Sequence, residues 1–402
     1  MNYKRGAALL CAGLLALTAC SAGAPQETPA TNAPPATGAG TPQAEGPKIV
    51  IGWAPPDVTG VFQTATQYFD QAAKEAQAAG IDVQIETRST TTHASFADQV
   101  AIIEDFVSRK VDAIVISPAD TEAIKPAIRS ANTAGIPVIL VNLIEPQDGI
   151  EVASYIGFDN ADAAEVSGYA VLDYFGGPGV LGSGPPVDPP ADGYLDLAWW
   201  KSIYDGADLS GVKGRGVIIE GIAGDFFSNA RKVGFQRATE KAPGLEILAE
   251  PIAGDWNREK GTIAAEDFLS RFGEDQLDFI WAASNEMGLG AAGAAEQRNR
   301  LDASGGTTPP EAGKVSIFTN DVTPESVDAI RAGRIVAETH HGFADWGWLG
   351  TASAVKLACG LEVEQFQDIR PRTVYQGNAD DFYPNMTLPT IDWAEIKGSC
   401  TK

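Results

Sequence analysis

The chain has 402 residues, 53 acidic against 29 basic, and a formal net charge of −24. Such a surface repels phosphate backbones and anionic headgroups, which argues against nucleic acid or a charged membrane surface as partner of the folded body. The length suits two domains better than one, and no short period repeats as it would in a solenoid.

Lys4 and Arg5 precede an apolar run from Ala7 to Ala19. A bilayer-spanning helix needs about 20 residues, so the run reads as a secretory signal over residues 1–19 instead. It ends Leu17-Thr18-Ala19-Cys20, which resembles the bacterial lipobox. The resemblance implies lipidation of Cys20 and a protein anchored at the cell envelope. From Ser21 to Pro47 the residues are mostly Ala, Pro, Thr, Gly and Gln. That composition buries too little surface to offset chain entropy, so residues 20–47 read as a lipidated Cys and a flexible tether. Folding is expected to begin at Lys48. The mature chain then carries Cys359 and Cys400 besides Cys20. In an oxidising compartment these two form a candidate disulfide from the tail to a helix ending near Cys359; the alternative is two unpaired thiols.

The body alternates short apolar runs with amphipathic stretches. Ile49–Gly52 reads as a strand, Phe62–Ala79 as a helix, Ile81–Ile85 as a strand and Phe96–Arg109 as a helix. Val111–Ile116 and Ile136–Val141 are further strands around a helix from Thr121 to Ala134. A second series starts after Ile156 with helix Ala161–Phe175, then a Gly- and Pro-rich segment from Gly176 to Arg215. Strands Gly216–Ile219, Leu245–Ala249, Phe279–Ala283, Val315–Phe318 and Arg334–Glu338 follow. The helices between and after them are Ser228–Glu240, Glu259–Phe272, Glu286–Arg298, Pro324–Ala332 and Trp348–Leu357. Strands read as unbroken Val/Ile runs separated by helices predict an α/β fold, with parallel sheets covered on both faces in two doubly wound lobes. A three-segment hinge near Tyr155–Asp159, His341–Phe343 and Tyr375–Asn378 would join them. The N-terminal lobe is then 48–156 plus 342–376, and the C-terminal lobe 157–341 plus 377–402.

Ligands of open parallel sheets sit beyond the carboxyl ends of the strands. The residues there are Asp57 and Phe62, Ser117-Pro118-Ala119-Asp120, Asn142, Trp256-Asn257, Ser284-Asn285, Asn320-Asp321 and His340-His341. Amides, carboxylates and aromatics suit a sugar, since planar polar groups bind adjacent hydroxyls and rings cover its C–H face.

Several stretches carry a closer likeness. Ser117-Pro-Ala-Asp-Thr-Glu-Ala-Ile124 with Ala134-Gly-Ile-Pro-Val-Ile139, Ile156-Gly-Phe-Asp-Asn160, Gly221-Ile-Ala-Gly224 with Arg231 and Gly234-Phe235, and Asn285-Glu-Met-Gly-Leu-Gly290 follow in order. From Lys48 onward the body resembles the type I periplasmic binding proteins of the ribose/galactose group. The resemblance implies a binding protein, with no cofactor or metal, that closes on a monosaccharide or polyol and is read by the permease subunits of an ABC-type importer. A monomer is expected. It puts sugar-stacking aromatics at Phe62 and Trp256, hydroxyl-binding groups at Asn285 and Asp321, and a polar ligand contact at His341. Asp57, Asn142 and Arg231 complete the candidate ligand set, with Asn229 as the alternative to Arg231 on that helix. Relatives often carry Asp-Arg where this chain has Asn142-Leu143, which puts ribose and galactose themselves in doubt. The 176–215 segment is unlike compact relatives and is a candidate to border the cleft.

Each residue also has a plainer role open to it. Phe62 suits a core, Asn285, Asp321 and Asp120 suit helix caps, the His340-His341 pair suits a surface dyad, and Trp346 and Trp348 suit packing. A sensor subunit presenting ligand to a chemoreceptor or kinase, or a binder of a non-sugar small molecule, stays open as the alternative function. Gly288-Leu-Gly-Ala-Ala-Gly293 spells a dinucleotide fingerprint, but its glycines fall inside a helix rather than in a strand–helix turn. A G-x-S-x-G elbow and an H-E-x-x-H zinc motif are both absent from the sequence.

Overall fold

The computed structural model describes residues 48–306 and 311–400, so the signal, the lipidation at Cys20 and the tether lie outside the described residues. Strand β1 (Ile49–Ala54) leads to helix α1 (Gly60–Ala78), then β2 (Val83–Thr87) and α2 (Phe96–Arg109). β3 (Ala113–Ile116), α3 (Lys125–Thr133), β4 (Val138–Val141) and β5 (Ser154–Gly157) complete the first pass through this lobe. Alternate residues of each strand enter separate cores. Ile49, Ile51, Val115, Ile139 and Val141 pack under α1, whereas Ile114, Ile116, Val138 and Leu140 pack with Ile103 and Phe106 of α2. Burial on both faces is why these strands lack the polar alternation of a half-exposed sheet.

The second lobe opens with α4 (Asn160–Tyr174), capped by Asp159, whose side chain accepts from the N–H groups of Ala161 and Asp162. After α5 (Leu197–Tyr204) come β6 (Gly214–Glu220), α6 (Phe226–Thr239), β7 (Leu245–Ile247), β8 (Ile252–Ala253), α7 (Arg258–Arg271) and β9 (Phe279–Ala282). Then follow α8 (Asn285–Gln297), β10 (Ser316–Asp321), α9 (Pro324–Arg331) and β11 (Ala337–His340). The chain returns to the first lobe in α10 (Phe343–Ala358) and ends with β12 (Phe366–Asp368), β13 (Arg372–Tyr375) and α11 (Trp393–Ser399).

The sheets are β12-β5-β4-β3-β1-β2 in the N-terminal lobe and β13-β11-β10-β9-β6-β7 in the C-terminal lobe, with β8 beside β6. All pairings are parallel except β13, which runs antiparallel to β11. Two doubly wound α/β lobes are thus present. The sequence pattern puts the third crossing near Tyr375–Asn378, but it falls between β12 and β13, because Arg372–Tyr375 pairs with β11 of the other lobe. The tail departs from the expected boundary as well. Trp393 and Ile396 of α11 join the N-terminal core, and Cys400 forms a disulfide with Cys359 at the end of α10. Two elements are also displaced along the chain. β11 covers Ala337–His340 rather than Arg334–Glu338, since it is held between β10 and β13. α10 starts at Phe343, directly after Gly342 in the left-handed region at φ 71°, and so takes in Trp346 and Trp348, both buried.

The 176–215 segment packs behind the cleft rather than along it. Trp200 of α5 lies parallel to Tyr169 of α4 and donates its indole N–H to Thr373 of β13 at 2.9 Å. Asp196 pairs with Arg370 in the third crossing, and Tyr194 lies under Arg370 and Arg372, at 4.5 and 4.0 Å. The aromatic content of the segment serves these contacts.

Candidate ligand-binding site

The carboxyl ends of the two sheets face each other across a cleft. Asp57, Phe62, Asn142, Arg231, Trp256, Asn285 and Asp321 all line it.

The C-terminal wall is a buried polar chain. Arg231, inward on α6, donates from Nη1 to Asp321 Oδ1 at 2.9 Å and to the Ala283 carbonyl at 2.6 Å. Its Nε donates to Asn160 Oδ1 at 3.2 Å, and Asn160 Nδ2 donates to the Asn142 carbonyl at 2.8 Å. Asn160 follows the first crossing, so this chain of bonds runs beneath the cleft from one lobe to the other. Asp321 Oδ2 accepts from the Asn285 backbone N–H at 3.2 Å, and Asn285 Nδ2 donates to Thr323 at 2.9 Å. Burial alone would push the Asp321 carboxyl up, but Arg231 and His341 hold it below the usual carboxylate range. Asn229, by contrast, is exposed on the outside of α6.

His341 is not among the residues that line the cleft. It is fully buried behind Asp321, with Nδ1 3.0 Å from Oδ1 and the Phe158 ring 4.4 Å away. β11 reaches His340, so the following residue is still under the sheet end rather than beyond it. Burial and then Arg231 push the His341 imidazole down to about 4 against the pull of Asp321. His341 therefore stands against a carboxylate from behind and does not face the cleft. The cap alternatives separate as well. Asp120 accepts from the N–H groups of Glu122 and Ala123, as a cap does. The N-cap positions of α8 and α9 are Ser284 and Thr323 rather than Asn285 and Asp321, though Asp321 accepts from the first N–H of α8.

Trp256 stands on the turn between β8 and α7, where Asp255 and Trp256 both have left-handed backbone, at φ 48° and 60°. Two such non-glycine residues in succession cost about 1 kcal/mol or more each, strain of the kind that marks functional positions. Gly221 makes the room, since a Cβ there would meet the indole at 2.1 Å. The indole N–H donates to Asp225 at 3.1 Å, and the Arg231 guanidinium lies 5.1 Å from the ring centre.

The N-terminal wall is sparser. Phe62 is buried at the start of α1, within 6.5 Å of Phe343 and Trp346, and so is part of the core and of the cleft lining at once. Asp57 accepts from the Thr59 N–H at 2.8 Å and sits 3.0 Å from His93 Nδ1. Burial raises its carboxyl, but the His93 contact outweighs this and leaves it below the ordinary value.

Residues 51–362 match the family described as periplasmic binding protein domain. The chain belongs to that family. Within it the chain is a type I protein of the ribose/galactose group. It is 26% identical over 277 residues to the D-ribose/D-allose-binding protein of Pseudomonas aeruginosa, covering 68% of this chain and 71% of the relative. It is 26% identical over 391 residues to the fructose import binding protein FruE of Bifidobacterium longum, covering 96% and 98%. In fold it is similar to a solute-binding protein from Bacillus halodurans with bound myo-inositol, with TM-score 0.60, 22% identity, and 83% and 96% of the chains covered.

Reading strand ends misses cleft residues that this family member brings in from elsewhere. His93 lies in the loop after β2, at a strand end like the others, and the same rule applied to that strand finds it. Asp225, Phe227 and Glu286 sit at helix starts, where the sequence offers caps and core residues as equal readings. Phe343 is a cleft residue only because α10 begins a turn before its apolar pattern suggests.

Proposed function

We propose that this protein captures a monosaccharide or related polyol between its lobes by hinge closure and presents the closed form to the permease subunits of an ABC-type importer. One observation carries the reading. Asn142 Oδ1, Ser284 Oγ and Asn285 Oδ1 are buried at the cleft with no protein partner. Leaving such an atom unsatisfied costs about 1–3 kcal/mol, which a hydroxylated ligand recovers. With Asp57, Arg231 and Asp321 they place acceptors and donors on both walls, and Trp256 and Phe62 add the apolar faces that a sugar ring stacks on. A ligand touching both walls stabilises the closed form by its differential affinity. The names of relatives that bind ribose, allose and fructose support the same class. The protein binds its ligand without turnover. It works as an exported monomer anchored through lipid on Cys20.

A thermal-shift screen against monosaccharides, polyols, amino acids and nucleosides tests this, because a ligand that binds only the folded state raises the melting temperature. A selective shift with a sugar or polyol is expected, with the ligand recovered unaltered. Shifts with amino acids or nucleosides alone would remove the sugar assignment. For the anchor, Cys20→Ala is expected to release the protein from the membrane fraction, and retention there would overturn lipidation.

A further inference from the structure

The chain crosses between the lobes once more after the three hinge segments. β13 belongs to the C-terminal sheet, and the residues after it stay with that lobe as far as Tyr383. Phe382 and Tyr383 are buried in the C-terminal core. Arg331 of α9 fixes the backbone there, donating to the Ala379 and Tyr383 carbonyls at 3.0 and 2.7 Å and pairing with Asp380 at 3.0 Å. From Ile391 onward the chain packs on the N-terminal lobe. Trp393 and Ile396 of α11 are buried in its core, and Cys400 is bonded to Cys359. The Trp348 indole of α10 donates to the Pro389 carbonyl at 2.7 Å.

Only Pro384-Asn-Met-Thr-Leu-Pro-Thr390 lies between these two anchorages. Each of its two prolines fixes a φ angle, which takes slack out of so short a piece. Leu388 packs against the cores of both lobes. The segment starts beside the hinge. The Phe382 ring is 5.2 Å from His340, where β11 enters the second crossing, and 5.0 Å from the Arg372 guanidinium, just past the third. The Tyr383 ring is 6.2 Å from Tyr68 of α1 in the other lobe. A rotation of one lobe against the other therefore shears Leu388 from one of its cores or draws on the anchored ends. Pulling α11 away would expose the apolar surface of Trp393 and Ile396 to water.

We propose that residues 384–390 form a strap across the hinge that limits how far the ligand-free lobes open and twist. The strap's contacts are complete in the arrangement in which Phe227 of α6 rests against the N-terminal core. They resist departure from it. The arrangement that meets ligand is then a larger share of the free protein, so less of the ligand's affinity is spent on closing the lobes.

Small-angle X-ray scattering from the ligand-free full chain tests the strap and requires no assumption about the ligand. About six Gly and Ser residues inserted after Asn385 add up to about 20 Å of reach and leave both anchorages in place. The radius of gyration is expected to rise. The same insertion after Gly149, in a loop with open space around it, makes no crossing longer and is the control. An equal change from both insertions, or no change from either, would overturn the strap and leave the tail as a stabilising attachment only. Should the lengthened chain fail to fold, Cys359→Ser with Cys400→Ser frees the far end instead. A larger radius is expected there too, and an unchanged radius in that folded variant would overturn the proposal.

Discussion

The two walls of the cleft are built on different principles. The C-terminal wall is a buried ionic chain in which Arg231, Asp321 and His341 are each 4% exposed or less. The N-terminal wall has Asp57 and His93 on loops, with side chains 15% and 19% exposed, and its buried members, such as Asn142 and Phe62, carry no ionic chain. A group held by the fold is positioned before ligand arrives, whereas a group on a half-exposed loop is positioned in part by the ligand. On the proposed binding mode, the first wall determines where the ring sits and the second responds to closure.

The largest effect should separate the walls by stability. Asp321→Ala leaves the Arg231 guanidinium buried without its carboxylate, and breaking a buried pair in this way costs about 3–5 kcal/mol. Urea unfolding is expected to show that loss, whereas Asp57→Ala, which breaks a pair nearer solvent, should lower stability by about 1 kcal/mol or less. Equal losses would mean that both walls belong to the rigid scaffold.

Acid probes the same wall more gently. His341 has its imidazole depressed to about 4 from an ordinary 6.5. Below the higher value the unfolded chain binds a proton that the folded one refuses. This residue's contribution is therefore complete above pH 6.5 and is lost as the pH falls to about 4, by at most on the order of 3 kcal/mol. Asp173 and Asp345, raised by burial to about 8 and about 6, act in the opposite sense, so the whole-protein profile mixes both. The difference in unfolding free energy between the wild type and His341→Gln isolates it. That difference should shrink from pH 6.5 to 4, and a flat difference would mean that burial does not depress the imidazole.

The sequence carries the lobes better than the walls. Both sheets follow from unbroken runs such as Ile114-Val115-Ile116 and Val138-Ile139-Leu140, since burial on two faces leaves a local trace. Trp256 is legible because it stands just past a strand end, whereas Arg231, inside a helix, is reached only through the family resemblance. The failures share one cause. β13 pairs with β11 across a reversal that no local pattern encodes, so the third crossing is misplaced, and α11 returns to the first lobe because Trp393 and Cys400 find partners far away in sequence. His341 is misread for a related reason: a strand that ends at His340 turns a residue of the cleft edge into one behind it.

Binding measurements should separate the walls by mechanism. Trp256→Ala removes the stacking surface and the cover over Arg231, and is expected to weaken ligand binding by about 1–3 kcal/mol with the melting temperature of the free protein little changed. Unchanged affinity in a folded variant would take Trp256 out of the site.

The smallest effect falls on the responsive wall. Asp57→Asn keeps the shape of the side chain, and its oxygen still accepts from Thr59, but it removes the charge that His93 meets at 3.0 Å. If the N-terminal wall forms its contacts only as the lobes close, the lost interaction belongs to the closed, liganded state more than to the free one. Affinity should then fall by about 0.5–1.5 kcal/mol, the usual worth of one such hydrogen bond, while urea unfolding of the free protein barely moves. The loss should appear chiefly as faster release, because a contact made late in closure holds ligand in rather than guiding it to the site. A variant that loses stability and affinity together would show that the Asp57–His93 pair is preformed, and that the two walls differ in exposure but not in kind.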